Sequence, residues 1–228
     1  MQGSARRTFA TLAFALGFAA FNARAAYLYN NSDPSGDQNS RLSAVDNMWF
    51  GDEVVLGSAY ATTPTIGHFD FQYWAQGTTG LTIDVQLLYN TGAPSSGYDS
   101  PDFGNVVYSL SGFNLGNTTR STLNFDAGSD FSMSGLNLSH GTLTLAVKFN
   151  FNGGGGTAGV DLYNPPTEGS SYLDYWQYNG SSWQLTTNNV FGTVNFGMSI
   201  ATPEPSSFSI FILGGLMMMG CRRFFRRK

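Results

Sequence analysis

The chain has 228 residues, room for one ordinary domain plus short targeting segments, and only 11% of them are charged. Residues 26–205 hold three cations (Arg41, Arg120 and Lys148) against all 15 acidic residues, a net −12 where the whole chain carries −4. So acidic a middle repels nucleic-acid phosphates and excludes DNA or RNA binding; the single cysteine, Cys221, excludes a disulfide framework, cysteine metal sites and thiol catalysis in that region.

Residues 1–25 have the layout of a signal peptide. Arg6 and Arg7 supply a positive start, 8–21 is an apolar run of Ala, Phe and Leu, and Ala23-Arg24-Ala25 is a small-x-small cleavage pattern. Cleavage between Ala25 and Ala26 is expected, after passage through the general secretory translocon. The run is short for a membrane span.

From 26 to 202 no stretch has helical periodicity. Residues 69–74, 81–89 and 143–149 alternate apolar and polar side chains at period two, and 106–110, 122–125, 183–185 and 194–198 are shorter segments of the same kind. Turn signals such as Asn90-Thr91-Gly92 and Gly153-Gly154-Gly155-Gly156 fall between them. Many short strands with loop-rich spacing predict an all-β fold, a single β-sandwich of jelly-roll type. The glycine tetrad has no lysine and no following helix, so it is a flexible loop and not a phosphate cradle.

Chemistry is sparse in this middle. No Gly-x-Ser-x-Gly elbow is present, and His68 and His140 read as polar residues at a strand edge and in a turn. Glu53 and Glu168 are the only glutamates before the tail, the pair a two-carboxylate glycan hydrolase would need, although their neighbours read as a strand start and a loop. The loops 33–37, 99–102 and 126–130 offer hard oxygen ligands for calcium without EF-hand spacing, and aspartate in turns ordinarily serves the turn itself. No catalytic residue, metal ligand or cofactor is therefore expected, with calcium the one candidate ion. Tyr172, Tyr175, Trp176, Tyr178 and Trp183 crowd into twelve residues. Spread over a face or a loop rim, Tyr175, Trp176, Tyr178 and Trp183 would stack on sugar rings; alternatively Trp176 and Trp183 fill the core as the last strands close.

The C-terminal 26 residues are the most specific part of the chain. Pro203-Glu204-Pro205 holds the backbone extended. Residues 206–221, with the apolar stretch 208–220, would make about 24 Å of membrane helix, and the basic residues Arg222, Arg223, Arg226, Arg227 and Lys228 follow it. Arginines that reach back to the interface make up the short span, and the cluster belongs on the cytoplasmic side. Cys221 stands at that edge, where acylation is one role and a small apolar residue the plainer one.

This order of elements resembles the PEP-CTERM sorting signal of Gram-negative bacteria. The resemblance implies a recognition motif at Pro203, Glu204 and Pro205, a transmembrane helix at 206–221 and a stop signal in the basic tail 222–228. It also implies processing by a membrane enzyme, an exosortase, and delivery to the outer surface or an exopolysaccharide matrix. The run from Phe50 to about Leu185 is similar, more loosely, to domains often carried on such tails: Phe50-Gly51-Asp52-Glu53-Val54-Val55-Leu56, Phe69-Asp70-Phe71-Gln72-Tyr73, Val107-Tyr108-Ser109, Asp161-Leu162-Tyr163-Asn164-Pro165-Pro166-Thr167 and Asp174-Tyr175-Trp176. The expectation is a non-enzymatic protein of the cell surface or biofilm matrix, anchored in the inner membrane before processing, whose domain binds or embeds in exopolysaccharide. The alternative is a secreted glycan-active hydrolase.

Overall fold

A computed structural model describes residues 25–32, 40–95, 98–132, 134–163, 165–187 and 194–204. Residues 27–203 form one compact unit. Most of the expected signal peptide, Pro205, the apolar stretch and the basic cluster lie outside the described residues.

The described residues are all-β, with one short 3-10 turn at Ser58–Ala61 and no α-helix. Numbered in chain order, six strands build the smaller sheet: β1 (Tyr27–Asn30), β2 (Ser40–Ser43), β5 (His68–Gln76), β8 (Thr118–Asp126), β11 (Thr157–Leu162) and β15 (Met198–Ala201). Seven build the larger: β3 (Trp49–Val55), β6 (Thr82–Ser95), β7 (Tyr98–Asn114), β10 (Thr142–Asn150), β12 (Ser170–Ser171), β13 (Asp174–Tyr178) and β14 (Trp183–Thr187). A two-stranded ribbon pairs β4 (Thr65–Ile66) with β9 (Leu136–Asn137).

In the smaller sheet β5 is the spine. It pairs with β8 along its length, while β15 and β11 pair with its first and second halves; β1 then adds to β15 and β2 to β11. The larger sheet runs β14-β13-β3-β10-β6-β7, with β12 also on β3. Period-two alternation explains why these segments are strands. Phe69, Phe71 and Tyr73 of β5 join the same buried cluster as Ile83, Val85 and Leu87 of β6 and Leu143, Leu145, Val147 and Phe149 of β10. Each such side chain, taken from water, contributes about 1.5–3 kcal/mol. Aromatic contacts cross the gap: Tyr108 of β7 meets Phe69 at 5.2 Å and Phe125 at 5.5 Å, both from the smaller sheet. The architecture is sandwich-like.

Among the described residues one acidic side chain points into this core. Phe50 and Val54 face inward on β3, so Asp52 between them does too, and it is fully buried. Its carboxyl accepts the Phe196 backbone N–H at 2.7 Å and the Ser171 hydroxyl at 2.9 Å, tying β3 to the segment that enters β15. Burial pushes its pKa well above the carboxylate range, and burial also raises that of its neighbour Tyr29.

The β6–β7 hairpin is longer than its hydrophobic pattern predicts. Asn90-Thr91-Gly92 lies inside β6, and β7 begins at Tyr98. Pairing shifts between Leu88↔Val106 and Asn90↔Pro101, which leaves Asp102–Asn105 as a bulge on β7. Asp102 fastens it, accepting from Gly104 N at 2.7 Å, Asn105 Nδ2 at 2.7 Å and Thr91 Oγ1 at 3.2 Å. The tip then reaches β14, at the opposite edge of the same sheet. The expected strand over 194–198 is displaced to β15, because the Phe196 and Gly197 amides bond Asp52 and Asp161 before the ladder begins.

Raised folded-state pKa values set the sign of the pH dependence. Burial lifts Asp161 to about 6 despite its ion pair with Arg41 at 3.3 Å, and the carboxylates of Asp70 and Asp126 lift His68, which they flank at 3.1 and 2.7 Å, to about 9. Asp52, Asp161 and His68 each hold a proton in the folded state at a pH where the unfolded chain releases it. Their stabilisation is complete below the unfolded pKa values and is lost as pH rises through the folded ones. The melting temperature should fall from about pH 5 to about pH 8 by calorimetry, and an Asp52→Asn chain should show a shallower fall. A flat or rising profile would contradict this assignment.

Candidate functional site on the outer face of the larger sheet

An antiparallel sheet packed on one side ordinarily shows water its other face. Here part of that face is apolar too. Leu88, Ala146, Trp176 and Trp183 form a second buried cluster, with Trp49, Tyr178 and Leu185 packed against it. Trp176 of β13 stands opposite Gly51 of β3, and Gly51 stands opposite Ala146 of β10. This row of small residues leaves space for the indole. Gly51 itself admits no side chain: a Cβ there would lie 2.6 Å from Thr144 Cγ2 and 2.9 Å from the Leu145 carbonyl oxygen. The bent hairpin supplies the cover. Phe103, on the Asp102–Asn105 bulge, meets Tyr178 at 5.0 Å, Trp183 at 5.1 Å and Trp49 at 5.8 Å.

Beneath these rings lies Glu53. Its Oε2 accepts the Trp176 indole N–H at 3.0 Å, and the pair is buried. Burial raises its pKa most; the bond from Trp176 pulls it back, and the charges of Asp174 and Asp99 push it up again. Burial likewise raises Asp174. Asn90 accepts the Thr144 hydroxyl at 2.8 Å and also steadies the Glu53 carboxylate. Tyr98 and Tyr172 meet at 5.3 Å and are 42% and 38% exposed. Lys148 lies over the Trp49 ring at 5.2 Å, its charge answered by Asp84 at 2.9 Å.

The four aromatic residues expected to contact glycan divide. Tyr175 faces the interior core and is 6% exposed, so its ring is withdrawn from any ligand. Trp176 is on the outer face but fully buried. Trp183 is nearly so, and Tyr178 reaches the surface in part. Phe103, Tyr98 and Tyr172 complete the exposed set; Phe103 and Tyr98 belong to the first half of β7, which has no clean alternation. Of the two glutamates weighed as a catalytic pair, Glu53 is on this face. Glu168 bonds through its backbone to Asn30, with its side chain against Gly57. Asp174 and Asp99, not Glu168, are the carboxyls that act on Glu53.

Of the tail motif, Pro203 and Glu204 are described. Pro203 packs against Gly67, where a Cβ would collide with the proline ring, and Glu204 is exposed. Ala25 and Ala26 precede β1. Among the described residues no cluster of three or more His, Cys, Asp or Glu side chains has a metal-holding arrangement, and no helix is long and apolar enough to cross a membrane.

Trp176 is therefore first a stability residue. Trp176→Phe removes the donor from a buried carboxyl and should cost about 1–3 kcal/mol in urea unfolding, and Trp176→Ala about 3–5 kcal/mol. Unchanged midpoints would mean that the outer cluster is not closed in solution. Comparison of the chain with protein-family models, with curated proteins and with solved structures returns no match.

Proposed function

We propose that the chain is an exported, non-enzymatic protein of the bacterial cell surface or exopolysaccharide matrix, and that its jelly-roll-like domain meets polysaccharide with the outer face of the larger sheet. The observation that carries this reading is the set of partly exposed rings on that face, Phe103, Tyr98, Tyr172 and Tyr178, next to hydrogen-bonding side chains. Aromatic faces with polar neighbours suit the C–H faces and hydroxyls of sugar rings. Export rests on the sequence of the two ends: a signal peptide cut between Ala25 and Ala26, then Pro203-Glu204-Pro205, an apolar helix over 206–221 and the Arg222–Lys228 basic cluster. In this reading the translocon exports the chain, the C-terminal helix holds it in the inner membrane, and an exosortase-type enzyme releases it near the motif. No cofactor takes part.

A second reading has one observation in its favour. The charge of Asp174 acts on Glu53 on the same face, and burial raises both, as in an acid held protonated for glycoside cleavage. The indole N–H and Asn90 hold Glu53 toward its ionised form, which argues for a structural carboxyl.

Two measurements test these statements. The intact mass of the protein from fractionated cells should correspond to a chain starting at Ala26 and ending between Pro203 and Ser206. A chain ending at Lys228 in the inner membrane would remove the sorting proposal. The purified protein should be retained on exopolysaccharide without releasing reducing ends. Steady release that disappears in Glu53→Gln would establish the hydrolase instead.

A further inference from the structure

The bent tip of β6–β7 and the turn between β13 and β14 enclose a groove of about 470 Å³, within the ~300–1,000 Å³ usual for small-ligand sites. It lies beside the buried cluster, and none of its lining belonged to the expected glycan contacts except Tyr178 and Trp183. We infer that this groove is the sugar-ring subsite of the outer face and that it takes an uncharged polysaccharide in preference to a uronate- or sulfate-bearing one. The inference rests on the polysaccharide reading above and gives it a place and a ligand class.

Three features support the assignment. The first is a fixed ring. Phe103 is 36% exposed, yet it is set against Trp183 and Tyr178 and carried on a bulge that Asp102 fastens with three hydrogen bonds. A ring already held in place loses little freedom when a pyranose stacks on it. The second is unused hydrogen-bonding capacity. Ser182 lines the groove and is exposed, and its hydroxyl can both donate and accept. Trp183, which also lines the groove, has a buried indole N–H with no hydrogen-bond partner among the described residues. A buried donor of that kind is one that a ligand hydroxyl can satisfy.

The third feature is charge, and it selects the class. Asp102 is the one charged residue in the lining; its three hydrogen bonds hold its carboxyl below the usual range, so it stays ionised. The domain's cations are all committed elsewhere or lie off the groove. Arg41 pairs with Asp161 on the smaller sheet, Arg120 lies on β8, and Lys148 pairs with Asp84. With one fixed anion and no cation in the lining, a polyanionic chain gains nothing here and is repelled by a strongly acidic domain. A neutral chain with free hydroxyls meets both the ring and the polar groups beside it.

The test uses the full chain in detergent, with affinity electrophoresis and tryptophan fluorescence against dextran, laminarin and mannan as neutral probes and alginate as the anionic one. Retention by at least one neutral polymer is expected, with alginate weaker. Phe103→Ala should weaken that retention about tenfold or more, and Ser182→Ala about threefold. Ser182 is at the surface, so its variant should melt with the wild type and separates ligand contact from stability. Neutral polymer bound equally well by Ser182→Ala and by a folded Phe103→Ala would move the subsite off this groove and leave the polysaccharide reading standing. Preference for alginate would overturn the ligand class. Retention by none of the four would remove the polysaccharide reading together with this one.

Discussion

The larger sheet carries an apolar patch on its outer side as well as an apolar inner face, and water can be kept from that patch only if something besides the facing sheet covers it. The inner face meets the smaller sheet in the ordinary way. The outer face, with Trp176, Trp183 and Leu88, is covered by the sheet's own far edge, folded back over it. Flat strands cannot do this. The Asp102–Asn105 bulge supplies the bend, and Gly51 and Ala146 supply the depth that lets an indole lie flat enough to be covered.

The same arrangement buries a carboxyl. Once Trp176 occupies the trough, its N–H must find an acceptor out of water, and Glu53 is within 3.0 Å. Asp52, the preceding residue, points to the opposite side and solves a similar problem between the two sheets, with a backbone amide and a serine hydroxyl as donors. Two successive acids on β3 thus anchor two separate cores. A domain with no cysteine between its ends has no covalent staple, and these directional bonds specify how the apolar surfaces meet where hydrophobic burial alone would not.

Much of the frame was legible from period two alone. Residues 69–74, 81–89 and 143–149 read as strands because each buries alternate side chains, and they are β5, β6 and β10, with 81–89 starting one residue before β6. The hairpin tip was not legible. Gly92-Ala93-Pro94 has turn composition, and 98–105 mixes aromatic, acidic and glycine residues without alternation, since a bulged strand folded over another face obeys no simple period. Phe103 was invisible for that reason. The aromatic cluster at 172–183 was legible as a cluster but not as a site, because its members point both ways across one strand: Tyr175 in, Trp176 and Tyr178 out. Which of them water reaches depends on β7, some seventy residues earlier in the chain.

The pairing of β1 with β15 and of β15 with β5 places the last described strand between the first and the spine of the smaller sheet. A chain that emerges from its amino end therefore carries an incomplete sheet until Ala201 has appeared. Tyr27–Asn30 waits without its ladder partner, and the Asp52 carboxyl waits for the Phe196 amide. Such long-range closure is slow compared with the hairpin pairings made along the way. Folding is thus timed to the appearance of the domain's last strand, and the chain stays unlocked, with sheet edges exposed, for as long as that strand is withheld.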